Sequence, residues 1–199
     1  MEVTERGQAF TLEAFVAALV LLASVAFALH VTGVTPATAS TANDQVENQH
    51  EGITAGLLDS AVANDSLRPT LLYWNDTNGA FHGASEEYYV SRSPQNTTFG
   101  HQLEWAYGDR SVRYNVHVYY ESSDGDIRKQ KLIHHGTPSD DAVRVVETVT
   151  MYDDDYLYDA DGTPSNVTLS DSSSFYAPDV APESPVYNVL RVEVVVWRA

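Results

Sequence analysis

Cysteine is absent from the 199 residues. That excludes a disulfide scaffold, thiolate zinc, iron–sulfur ligation and a cysteine nucleophile. Lysine is nearly absent: Lys129 and Lys131 are the only two, and the other nine cations are arginines. Against these 11 cations stand 28 Asp and Glu, a net charge of −17. A body this negative repels nucleic acid and anionic lipid, which removes both as partners of the main body. The one local basic cluster, 128–131, is too small for nucleic acid. Missing too are a Gly-x-Ser-x-Gly elbow, a P-loop and a dinucleotide fingerprint, and no two of the seven histidines are spaced His-x-x-x-His. The residues predict no catalysis and no cofactor. What remains is ordinary: 43% hydrophobic residues rule out a disordered acidic tail or a low-complexity chain.

One hydrophobic run dominates the chain. Ala14–Leu29 holds sixteen residues without a charge, and 10–31 holds twenty-two with only Thr11, Glu13, Ser24 and His30 interrupting. About 20 apolar residues cross a ~30 Å hydrocarbon core, so the longer count suffices. Three readings compete: a transmembrane anchor, a cleaved secretory signal and a buried core helix. A core helix would carry a polar stripe, and none is present. The small triplet Ala37-Thr38-Ala39 favours a cleaved signal, but it lies far beyond the run and the leading residues are not net basic. The anchor is the expectation. Arg6 precedes the run and the next cation is Arg68, so the positive-inside rule places the N-terminus in the cytoplasm and the remainder outside.

The string Arg6-Gly7-Gln8-Ala9-Phe10-Thr11-Leu12-Glu13, running straight into the apolar segment, resembles the class III signal of archaeal type IV pilin-like proteins. The resemblance covers about residues 5–31. It implies a leader ending near Arg6, Gly7 and Gln8, cut by a prepilin peptidase, with the hydrophobic helix retained. It also implies a role for Glu13 in assembly with other pilin-like subunits. In the family the Glu is usually the fifth mature residue. Cleavage after Gly7 would make Glu13 the sixth, and cleavage after Gln8 restores the register. Independently, a carboxylate at the head of an apolar helix either marks a function or sits in the first turn, where the helix dipole favours an anion. The acidic, lysine-poor composition resembles proteins of extremely halophilic archaea.

Pro36 should end or kink the first helix near Val34. Beyond it, Ala42, Val46, Ile53, Leu57 and Ala61 recur at helical spacing, opposite Asn43, Asp44, Glu47, Glu51 and Asp59. Gly52 and Gly56 form a Gly-x-x-x-Gly pair, a weak signal outside an apolar segment. From Arg68 the texture becomes β-like, with strands expected at Val112–Glu121, Ile127–His134, Val143–Tyr152 and 186–197, a hairpin around Asn78-Gly79 and a short helix near 99–107. The two lysines share one face of Ile127–His134 and mark it as an edge strand. The expected organisation is a leader (1–7), a transmembrane helix (8–35), an amphipathic stalk helix (36–65) and an extracytoplasmic β-rich head (66–199). Its fold class is α+β: a long N-terminal helix packed on an antiparallel sheet, pilin-like.

Metal readings are weak. His134-His135 with Asp140 and Asp141 could ligate, but neighbours on a strand face opposite ways. The run Asp153-Asp154-Asp155, with Asp159, Asp161 and Gly162, fails the EF-hand register and reads as a solvated loop closed by a turn. Sequons stand at Asn64, Asn75, Asn96 and Asn166, all in expected loops, and suit N-glycosylation. The sequence therefore predicts a single-pass cell-membrane protein with an external head, a structural subunit resembling a pilin or pseudopilin. The alternative is an anchored cell-surface module binding calcium or sugar. One expectation follows from charge alone. Residues 37–199 carry 10 cations against 25 anions, and this self-repulsion is relieved when molar salt shortens the Debye length to ~3 Å. Thermal unfolding of that fragment followed by circular dichroism should show a melting temperature that climbs with KCl; a flat response would remove the halophile reading.

Overall fold

The computed structural model describes the backbone of residues 3–108 and 112–198, and their side chains apart from 3–12 and 29–44. The chain divides into two compact units, Met1–Val46 and Glu47–Ala199. Helix α1 (Val3–Ala63) supplies the first and opens the second. Pro36 lies within those bounds, so the helix does not end near Val34. A proline deletes one backbone hydrogen bond, and a helix of this length retains the others.

In the first unit every described side chain from 13 to 28 is exposed. Phe15, Val16, Leu19, Val20, Leu21, Leu22, Val25 and Phe27 are each more than half accessible. The expected transmembrane helix is corrected here: among the described residues no helix is long and apolar enough to cross a membrane. The single-pass cell-membrane placement that rested on that span falls with it.

The second unit has two layers. Its first is an antiparallel sheet of β3 (Val112–Glu121), β4 (Ile127–His134), β5 (Val143–Tyr152) and β8 (Val186–Arg198), ordered β4-β3-β8-β5. The lysine-bearing strand is indeed at an edge. Alternation sends Tyr114, Val116, Val118, Leu190, Val192, Val194, Val196, Val149 and Met151 to one side, all buried. A β-bulge breaks the β3–β4 register between Val116 and His117: Ile133 pairs with Val116, Lys131 with His117, and Leu132 is the extra residue. Leu132 and Ile133 can thereby both be buried while Lys131 stays on the other face.

The covering layer comprises the end of α1, α2 (Leu67–Leu71), the hairpin β1 (Trp74–Asn75) and β2 (Ala80–Phe81), α3 (Thr98–Tyr107), and the hairpin β6 (Tyr156–Tyr158) and β7 (Pro164–Thr168). An aromatic cluster fills it. Trp74 meets Phe81 edge-on at 5.1 Å and Tyr176 at 5.3 Å. Asp76 closes this layer by accepting from the Ser172 hydroxyl and from the amides and hydroxyls of Ser173 and Ser174. Partial burial pushes its carboxyl up, but these donors outweigh it and hold the pKa below the usual value.

The expected pilin-like arrangement, a long helix laid along the sheet, is also corrected. Leu58 and Ala61 are fully buried, but the hydrogen bond that fixes this stretch joins the Thr54 and Tyr107 hydroxyls at 2.7 Å, and Tyr107 belongs to α3. The apolar stripe of 53–61 therefore meets a helix, and β6–β7 forms where the sequence suggested a solvated acidic loop closed by a turn.

Helix α3 itself starts from Thr97, whose hydroxyl accepts the Gly100 amide at 3.1 Å and donates to the Pro94 carbonyl at 3.1 Å. The turn is so tight that a Cβ on Gly100 would sit 2.0 Å from the Pro94 oxygen. Urea unfolding should find Thr97→Ala weaker by about 1 kcal/mol and Gly100→Ala by roughly 1–3 kcal/mol or more. A Gly100→Ala variant as stable as the parent would refute the close approach.

Candidate functional site

The side of the sheet away from the core carries the chain's concentrated chemistry. Register pairs define three rows across the four strands: Lys129–Tyr119–Arg191–Thr148, Lys131–His117–Glu193–Val146 and His134–Asn115–Val195–Arg144. At ~4.8 Å between strands and ~7 Å between rows, they cover an area about 14 Å on a side. Arg113, opposite Trp197, extends the same face. Five of the 11 cations thus project on one side of one sheet, against the two acids Glu121 and Glu193. In a chain of net charge −17 this local sign is inverted.

Glu193 forms the floor. Its Oε2 accepts the Tyr119 hydroxyl at 2.9 Å and lies 3.2 Å from His117 Nδ1. His117 is only 8% exposed, although it lies on the outer face of its strand. Burial pushes its pKa down, the Glu193 hydrogen bond pulls it back, and Lys129 adds to the downward side, leaving it below the ordinary value. The ring is therefore neutral at pH 7, with Nδ1–H able to donate to Glu193. Tyr119 is raised by burial and by its bond to Glu193, with the positive charges of Arg144 and Arg191 opposing. At the β4 edge Lys131 Nζ sits 4.7 Å from the Tyr88 ring centre. The arrangement can receive an anionic group: cations ring a floor whose own acid is already engaged. Its sign is wrong for calcium.

The residues singled out in the sequence are scattered by comparison. Arg6, Gly7 and Gln8 lie in the opening of α1, and their side chains fall outside the described residues. Glu13 is exposed on α1. Asn64 follows α1 and Asn96 precedes α3, both exposed, whereas Asn75 lies in β1 and Asn166 in β7 rather than in loops. The Asn96 amide donates to the Ala160 carbonyl at 2.7 Å. His134 stands edge-on to Tyr88, and His135 packs at 4.3 Å against Tyr114 with its ring tilted by 60°, so the two do not converge. Asp155 pairs with Arg68 at 3.4 Å. No group of three His, Asp or Glu able to hold a metal occurs among the described residues. Gly52 and Gly56 face open space. Gly56 lines a groove of about 290 Å³ with Ile53, Leu57 and Trp105, and that tryptophan is 88% exposed.

Residues 6–196 match the model of a family of unknown function (DUF7288), and the chain belongs to that family. No curated protein and no solved structure matches it.

The histidines around the basic face fix a pH dependence. Burial, with help from Arg113 and His134, lowers His135 to about 4. His134 is lowered by burial and by Lys131 and Lys129. The unfolded chain takes up these protons near 6.5 and the folded chain only at lower pH. The stabilisation is therefore complete above 6.5 and, for His135, is lost as pH falls from 6.5 to about 4. Titration of the ring by NMR should place His135 near 4, and chemical unfolding should show up to ~3 kcal/mol lost across that window from this residue. A midpoint near 6.5 would contradict the buried, neutral ring.

Proposed function

We propose that the chain is a non-catalytic structural subunit of the type IV pilin-like kind, in which the apolar helix 13–28 is covered by the same helix of neighbouring copies. The observation that carries this reading is the girdle of eight large apolar side chains, each more than half exposed. A helix that is apolar all round is buried against something. Covering a Leu, Val or Phe is worth roughly 1.5–3 kcal/mol. Like helices supply that cover without any new surface having to evolve. The string Arg6–Glu13 supports the same reading, with a prepilin peptidase removing the leader and Glu13 placed at the head of the packed segment.

In a bundle the Glu13 carboxylate would pair with the new N-terminal amine of a neighbour. Losing one member of a desolvated pair costs about 3–5 kcal/mol. Glu13→Gln should therefore abolish intersubunit photocrosslinking from a probe at Ala17 while the circular dichroism of the head stays unchanged. Intact mass of the native protein should be short by seven or eight residues. An unchanged crosslink pattern in the variant, or a full-length native chain, would defeat the reading.

A further inference from the structure

We infer that the basic sheet face of one copy docks the acidic covering layer of the next, so that the heads associate head to tail. The inference rests on the assembly reading above and adds a second contact, made by different residues. Its basis is an asymmetry of charge within one compact unit. The outer face gathers Arg113, Lys129, Lys131, Arg144 and Arg191, all but Lys131 exposed, around a centre in which Asn115, His117, Val195 and Trp197 are buried. From 153 to 190 the chain has eight Asp and Glu and neither Lys nor Arg.

This acidic segment is held on the opposite layer. Leu157, Leu169 and Ala177 anchor it in the core. The Tyr158 amide donates to the Leu72 carbonyl at 2.9 Å, and the Trp74 indole to the Ser174 carbonyl at 3.1 Å. Asp154, Asp159, Asp161, Asp171 and Glu183 point to solvent. Positive and negative surfaces on opposite layers cannot satisfy each other within one copy, and a two-fold contact would set like against like. A heterologous contact pairs them in every copy and propagates. Charges pressed together and partly desolvated are screened far less than exposed ones, so the contact tolerates salt that would abolish long-range steering.

The occupant is a second copy rather than a soluble acidic polymer, because this chain presents the complementary surface at equal concentration on a rigid layer. The full chain in mild detergent at one fixed KCl concentration provides the test, read by sedimentation. A Lys129→Glu/Arg191→Glu variant and an Asp154→Lys/Asp159→Lys variant should each associate at least about tenfold more weakly than the parent, and an equimolar mixture of the two should recover. Leu21→Asp separates the two contacts by striking only the helix. If Leu21→Asp abolishes association and the reversed heads behave as the parent, the helix assembly stands and the head contact is wrong. If the reversals act and Leu21→Asp does not, the head contact stands without the helix reading. Failure of the mixture to recover overturns the pairing of these two surfaces. So does binding of polyglutamate that is lost in Lys129→Glu/Arg191→Glu while self-association is unchanged. Circular dichroism of each variant guards against loss of fold.

Discussion

The pairing of β3 with β8 is the constraint on which the head depends. Val116 opposite Val194 and His117 opposite Glu193 are consecutive rungs of one ladder. The first builds the core and the second builds the polar face. Because the side-chain period of a strand is two, a slip of one residue would exchange the two sets and bury Arg191 and Glu193 in place of Val192 and Val194. The cost of desolvating those charges enforces the register. Fold and face are therefore specified by the same alternation.

The covering layer depends on that sheet in turn. Short elements, two residues long in β1 and β2, have little backbone pairing of their own. They are held by Trp74 and its aromatic neighbours and by one carboxylate, Asp76, which collects five donor groups from three consecutive serines. Such a network is worth most when every member is present, since an orphaned carboxylate at a partly buried site loses more than the bonds themselves.

The strands of the main sheet were legible because β-branched residues alternate with polar ones and Asp124-Gly125 marks the hairpin; Gly125 has φ +84° there. The sheet order was not, because antiparallel neighbours far apart in sequence leave no local signal. Glu193 illustrates the gap. Alternation with Leu190, Val192 and Val194 placed it on the outer face of its strand, yet nothing in one sequence set it beside His117 and Tyr119. The continuity of α1 through Pro36 is hidden for a different reason. Pro36 is a strong local signal, and in α1 the rest of the ladder overrides it. The stripe at 53–61 is legible as apolar, but periodicity cannot say whether a helix or a sheet will cover it. The acidic run concealed β6–β7 because its buried aliphatic anchors, Leu157 and Leu169 among them, are single residues twelve positions apart and leave no run of alternation.

The poverty of lysine has a chemical consequence. Apart from the α-amine, the only primary amines of the chain are those of Lys129 and Lys131, two positions apart on one strand and opposite Tyr119 and His117. Any amine-selective reagent, acylating, carbamylating or reductively methylating, is thereby directed to a single face of the head. Acetylation would erase two of its five cations in one step, whereas dimethylation would enlarge both ammonium groups and keep their charge. The protein carries a ready-made pair of handles by which the sign of that surface can be altered without touching its sequence.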